Sequence, residues 1–171
     1  MHYPSSPPLR LATVNLLTDL GWCAGTLHVP TRQSLVDFLA PGSPIVKLTR
    51  ARIPNENERL PFVAVRRDSI IAVEPTQADE LVETPGSGGR TSSHRVACLS
   101  PVGMLHGTLE VLVNVRVSDF LRQQPSLAVL HDCTLVPYGQ PPESNQARKL
   151  RLVLVNLGRV TGVAEWVNQQ V

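Results

Sequence analysis

Gly21-Trp22-Cys23-Ala24-Gly25-Thr26-Leu27-His28-Val29 is answered 82 residues later by Gly103-Met104-Leu105-His106-Gly107-Thr108-Leu109-Glu110-Val111. The same displacement lays Asp37-Phe38-Leu39 on Asp119-Phe120-Leu121 and Leu48 on Leu130. Residues 21–54 carry nine identities in 34 aligned positions, far more than chance supplies. Apolar character also agrees at Val14/Val96, Leu17/Leu99, Leu35/Val117, Ile45/Leu127, Ala51/Cys133 and Ile53/Leu135. The second copy then has eight extra residues within 137–149, a polar stretch with prolines of the kind a surface loop tolerates. Past it the displacement becomes 90, setting Val63 on Val153, Val65 on Val155, Ile70 on Val160 and Val73 on Val163. The chain reads as an internal duplication.

Each copy predicts short strands with one short helix. Ser34-Leu35-Val36-Asp37 has the spacing of a capping box, and Pro41-Gly42 and Pro44 close the helix after one or two turns. Ser34, Asp37 and Asp119 are thus expected to cap helices, a carboxylate being favoured near a helix N-terminus. Residues 45–53 form the longest strand of the first copy. Val46 and Leu48 lie on one parity, Ala51 and Ile53 on the other. Ala128 and Leu130, then Cys133 and Leu135, repeat the switch. Such a change of phase predicts a bulge or sharp bend near Thr49-Arg50, letting one strand serve two sides of a small barrel. Residues 62–65 and 69–73 read as a hairpin turning at Arg66-Arg67-Asp68, and 152–155 and 160–163 as its copy, turning at Asn156-Leu157-Gly158-Arg159.

The organisation expected is a disordered tail (1–10), a first barrel (11–75), a flexible linker (76–92) containing Gly86-Ser87-Gly88-Gly89, and a second barrel (93–167). A unit of 60–70 residues buries only roughly 60% of its unfolded surface, so two copies gain by packing together.

The order of these features resembles the Sm-like fold. An apolar strand ends in a Gly turn at Leu20-Gly21, a Gly-x-Leu strand follows at Gly25-Thr26-Leu27, and the long strand comes next. Val63-Ala64-Val65-Arg66-Arg67-Asp68-Ser69-Ile70-Ile71 is similar to the second Sm segment, which turns at Arg-Gly-Asp-Asn. The chain is also similar to uncharacterised bacterial domains in which a Gly-x-Leu strand leads into an Arg-x-x-Asp-x-Leu turn, as at Arg116-Val117-Ser118-Asp119-Phe120-Leu121. The resemblance implies a mainly β fold of two tandem five-stranded Sm-like (SH3-like) barrels, each with a short helix after its second strand. It also implies RNA binding through the Arg66-Arg67-Asp68 turn as one function. Sm-like RNA binders place an Asp and an Asn in the loop after the Gly-x-Leu strand; here that loop reads Pro30-Thr31-Arg32-Gln33.

Composition narrows the function classes. Net charge is +2, from 16 basic and 14 acidic residues, which gives no dedicated basic stripe. Charged residues are 18%, and a surface poor in charge favours partner binding. Cys23, Cys98 and Cys133 show no CxxC spacing and read as buried free thiols, so neither a disulfide framework nor a metal site is expected. His2, His28, His94, His106 and His131 have no counterparts across the repeat and no metal-ligand spacing. In His131-Asp132-Cys133, strand alternation points Asp132 away from its neighbours, so no catalytic residue is expected there.

No apolar run is long enough to cross a bilayer, residues 1–8 do not read as a signal peptide, and a cytoplasmic protein without cofactors is expected. Arg50, Arg52, Arg66, Arg67, Asp68 and Arg159 are the residues through which an anionic ligand or partner would bind. The expected function is a non-catalytic interaction or self-assembling scaffold module, with a protein partner or further copies of the chain. RNA binding is the alternative.

Overall fold

The structure, a computed structural model, describes residues 7–40, 42–77, 89–123, 126–141 and 143–166. The first copy supplies β1 (Leu9–Thr18), β2 (Gly21–Pro30), α1 (Leu35–Leu39), β3 (Ile45–Arg52), β4 (Leu60–Arg66) and β5 (Ile70–Pro75). The second supplies β6 (Thr91–Ser100), β7 (Gly103–Leu112), α2 (Val117–Gln123), β8 (Leu127–Val136), β9 (Arg148–Asn156) and β10 (Gly162–Trp166). Element for element, the copies match. A one-turn 3-10 helix joins β4 to β5 at Arg67–Ser69, and another joins β9 to β10 at Leu157–Arg159.

The fold is mainly β, as expected, but the copies share one sheet, which corrects the expectation of two bodies joined only by a linker. All ten strands belong to one antiparallel sheet that does not close, in the order β10-β6-β7-β8-β9-β5-β1-β2-β3-β4. Each copy contributes five consecutive places, and the join is made by β5 against β9, with Ala72 opposite Val155 and Val73 opposite Leu154. The two hairpin expectations are corrected with it. β4 pairs with β3 and not with β5, because the 3-10 turn carries the chain to the far side of its copy, where β5 pairs with β1. β9 and β10 are separated in the same way. Two expected boundaries also move. Leu9 and Arg10 belong to β1 and not to a tail, and Thr91 and Ser92 belong to β6 and not to a linker. Residues 1–6 and 78–88 of those segments lie outside the described residues.

The bend falls where the parity switch places it. Arg50 and Asp132 adopt left-handed backbone, with φ of 50° and 49°. The β2–β3 register slips between Ala24 and Thr26, and the β7–β8 register between His106 and Thr108. The skipped residues are Gly25 and Gly107, which accounts for the repeated Gly-Thr-Leu. A Cβ on Gly25 would stand 3.0 Å from the Leu48 Cβ, and one on Gly107 would stand 2.8 Å from the Cys133 sulfur. A side chain there would hold the strands apart at the corner.

Two cores result, and both draw on both copies. Leu127, Val129, Leu152 and Leu154 join the first core with Leu16, Leu27, Leu48, Ile70 and Val73. Leu17, Ile71 and Ala72 join the second with Leu105, Leu130, Val153 and Val155. β8 and β9 are therefore buried on both faces, as Leu127–Leu130 and Leu152–Val155 show by running buried without alternation.

α1 keeps its predicted cap: the Ser34 hydroxyl accepts from the Asp37 amide at 3.0 Å and donates to the Asp37 carboxylate at 2.8 Å. Asp119 lies in the first turn of α2 and pairs with Arg122 at 3.2 Å.

All three cysteines are free and buried. Burial pushes the Cys98 thiol up to about 11 and the Cys133 thiol up to about 12. A thiol whose folded pKa exceeds its unfolded value favours the folded chain below the unfolded pKa and stops doing so as pH rises through the folded one. Stability is therefore expected to fall from about pH 9 towards pH 12. Thermal melts across that range test this, and a Cys98→Ala, Cys133→Ala chain should show a flatter decline.

Candidate functional site

The residues expected to bind a partner do not gather on one rim. Arg66 and Asp68 pair with each other in the turn after β4, at 2.5 and 3.0 Å, and both are exposed. The Arg66 hydrogen bonds hold the Asp68 carboxyl below its ordinary range. Arg67 turns inward. Its guanidinium donates to the carbonyls of Leu39 at 2.5 Å, Ala40 at 3.0 Å, Phe38 at 3.4 Å and Ser43 at 2.6 Å. These are the orphan carbonyls at the end of α1 and beyond, which end without any basic residue of their own. Arg67→Ala is expected to cost about 1–3 kcal/mol by leaving those carbonyls without a charged donor. Chemical denaturation measures it, and a change below about 0.5 kcal/mol would contradict the capping role.

Arg159 belongs to the joint. It donates to both carboxylate oxygens of Asp19, at 2.6 and 2.7 Å, and so ties the second copy to the first. Sequence reasoning missed the rest of this clamp. Arg148 of β9 donates to Glu74 of β5 at 2.7 Å and lies 4.0 Å above the Trp22 ring. Asn15 also donates to Glu74, at 2.8 Å, and Asn156 donates to the Ile70 carbonyl at 2.8 Å. No motif marks these residues, because their partners lie about 59 to 140 positions away. A cavity of about 510 Å³ lies at the joint, between Leu39, Ile45, Ile70 and Val73 of the first copy and Leu127 and Asn156 of the second.

Beyond the joint lie two open sheet edges. Among the described residues, β4 and β10 each pair on one side only. The face of β3 and β4 that corresponds to the buried Leu127, Val129, Leu152 and Leu154 consists of Ile45, Lys47, Phe62 and Ala64, all exposed. Ile45 is 42% and Phe62 58% exposed. At the other end, Val160 and Val163 are only partly buried, although their counterparts Ile70 and Val73 are 4% and 1% exposed. Each end thus leaves open what the internal joint buries.

Arg50 and Arg52 lie elsewhere, on the outer face of the bend, with Arg59. Together they line a concavity of about 310 Å³ with Thr13, Ala24, Gly25 and Thr26. The same concavity recurs in the second copy, where Arg95, His106, Gly107, Thr108, Asp132 and Thr134 stand at the matching positions. There Trp166 covers His106, with ring centroids 5.3 Å apart. Burial, and then the charge of Arg95, lower the His106 pKa, and its Nε2 is buried without a partner.

Among the described residues no group of three or more His, Cys, Asp and Glu is placed to hold a metal ion, and no helix is long and apolar enough to cross a membrane. No known protein family, curated protein or solved structure matches the chain.

Proposed function

We propose that this chain is a non-catalytic interaction module, a duplicated small barrel that joins copies of itself head to tail. On this reading each run of five strands is an open Sm-like half-barrel, and the internal joint is the template for the contact between chains. The observation that carries it is the pairing of β5 with β9, since β10 and β4 are the same two strands of the repeat left without each other. Repeating the joint would set Gly162 of one chain opposite Val65 of the next, and Val163 opposite Ala64. The contact is heterologous, so it closes into a ring or runs on as a filament, according to the rotation per chain.

Physical chemistry also bounds its strength. Lys47 and Ala64 stand where the joint has Val129 and Leu154, and Glu58 and Ala164 stand where it has Arg148 and Glu74. The contact between chains therefore lacks the polar clamp and part of the apolar area, and is weaker than the joint inside the chain. Pro61, with no amide to donate, lies in β4 beyond the two paired positions.

Sedimentation from micromolar to millimolar concentration tests the proposal. Mass is expected to rise with concentration in steps of one chain. A monomer throughout, together with a foreign protein recovered on the β4 edge, would replace self-assembly with a different partner. RNA binding through the Arg66-Arg67-Asp68 turn is the less favoured reading, because Arg67 is engaged with carbonyls and Arg66 with Asp68.

A further inference from the structure

Arg50, Arg52 and Arg59 converge on one concavity, and no carboxylate lines it. Among the described residues none of the three makes an ion pair, whereas Arg66, Arg122, Arg148 and Arg159 all do. The β3–β4 loop holds two acids, Glu56 and Glu58; Glu56 accepts from the amides of Asn57 and Glu58, and neither carboxylate lines the concavity.

The duplication separates what the fold requires from what this site adds. The bend, the left-handed residue and the glycine recur in both copies, so the hollow follows from the backbone. The cluster of three arginines does not recur. Where the first copy has Arg50, Arg52 and Arg59, the second has Asp132, Thr134 and Lys149, so only one of the three charges has a counterpart. Asp132 and Arg95 both line the second copy's hollow, a carboxylate beside a cation, and Trp166 packs on its His106. Three like charges left facing one another around an open hollow repel, and a bound anion reverses that cost. Arginine presents planar pairs of N–H donors that match phosphoryl oxygens two at a time.

We infer that the concavity between β1, β2 and β3 of the first copy is a binding site for a multiply charged phosphoryl group. Its volume of about 310 Å³ exceeds the roughly 30 Å³ that a water occupies in the liquid by about tenfold, room for more than a single small ion. Thr13 and Thr26 are the polar uncharged residues of its lining. The site shares no residue with the head-to-tail contact, which uses Ile45, Lys47, Phe62 and Ala64 and the outer edge of β4.

Amide NMR titration of the whole chain at low salt, with inorganic pyrophosphate as probe, tests the inference. Shifts are expected at Ala24, Gly25, Thr26 and the β3 bend. An Arg52→Gln, Arg59→Gln chain should bind at least tenfold more weakly. Both side chains are exposed, and an unchanged circular dichroism spectrum would show that the fold is intact. Arg122→Gln, on α2, should bind as the parent does. A short single-stranded RNA separates the sources: tighter binding through the same arginines assigns a nucleic-acid backbone, and equal or weaker binding assigns a small phosphorylated ligand. Either sustains the phosphoryl site. No shift at millimolar pyrophosphate, shifts unaltered by the double substitution, or tighter binding of a poly-glutamate peptide than of either phosphoryl probe would overturn it.

Discussion

Leu154→Ala is expected to destabilise the whole chain by about 2–5 kcal/mol, and to do so in both copies at once. Leu154 is fully buried and sits on β9, yet its side chain packs in the core of the first copy. Truncating it removes methyl groups from a place where β9 is held by β8 on one side and β5 on the other, so the cavity collapses poorly. Because β8 and β9 line both cores, a defect there does not stay in one half. Hydrogen exchange should show the β1–β2 amides and the β6–β7 amides losing protection together. Loss confined to β6–β10, with β1–β5 as protected as in the parent, would show that the copies fold as separate bodies. Ala64→Val, at the counterpart position, should change stability by less than about 0.5 kcal/mol, since Ala64 is exposed.

Phe62→Lys is expected to abolish assembly while leaving the monomer folded. Phe62 is 58% exposed and takes the place that Leu152 fills in the joint, where it is 6% exposed. Burying most of an aromatic ring against the partly open core around Val160 and Val163 contributes about 1.5–3 kcal/mol to the contact. A lysine there also stands beside Lys47, whose ammonium lies 5.2 Å from the Phe62 ring centre. Lost apolar area and added repulsion together should weaken association by at least a hundredfold. Sedimentation at the concentration where the parent is half assembled reads this directly, and a Phe62→Lys chain that assembles like the parent would contradict the proposed contact.

What the sequence made legible was local or periodic. The Ser34–Asp37 cap, the short helices and the bend at Arg50 each follow from spacing within one segment, and each is present. The pairing partner of a strand is another matter. Residues 62–65 and 69–73 carry the apolar pattern of a hairpin, but pattern does not tell whether β5 turns back on β4 or crosses to β1. The continuous sheet did leave a trace in β3. Leu127-Ala128-Val129-Leu130 is apolar throughout, as a strand buried on both faces is, whereas Ile45-Val46-Lys47-Leu48 breaks the run at Lys47; Leu152–Val155 and Phe62–Val65 are both apolar throughout and give no such sign. The difference between these copies marks which end of the repeat is covered. The clamp of Arg148, Glu74 and Trp22 left no such trace, because each is an ordinary surface residue until the joint brings them together. The arginine cluster was half legible: Arg50 and Arg52 stand on one strand, but Arg59 joins them only because β4 folds back along β3.

Head-to-tail pairing in the register of the internal joint is the central claim, and site-directed cross-linking tests it most directly. An Ala64→Cys chain is mixed with a Val163→Cys chain under mild oxidation; the native thiols are buried and held protonated. Opposed residues of an antiparallel pair bring their Cα atoms about 4.5–5.5 Å apart, within reach of a disulfide. The account predicts a mixed dimer joining residue 64 of one chain to residue 163 of the other, with few 64–64 or 163–163 dimers. Symmetric dimers, or no mixed product at concentrations where mass shows assembly, would contradict it.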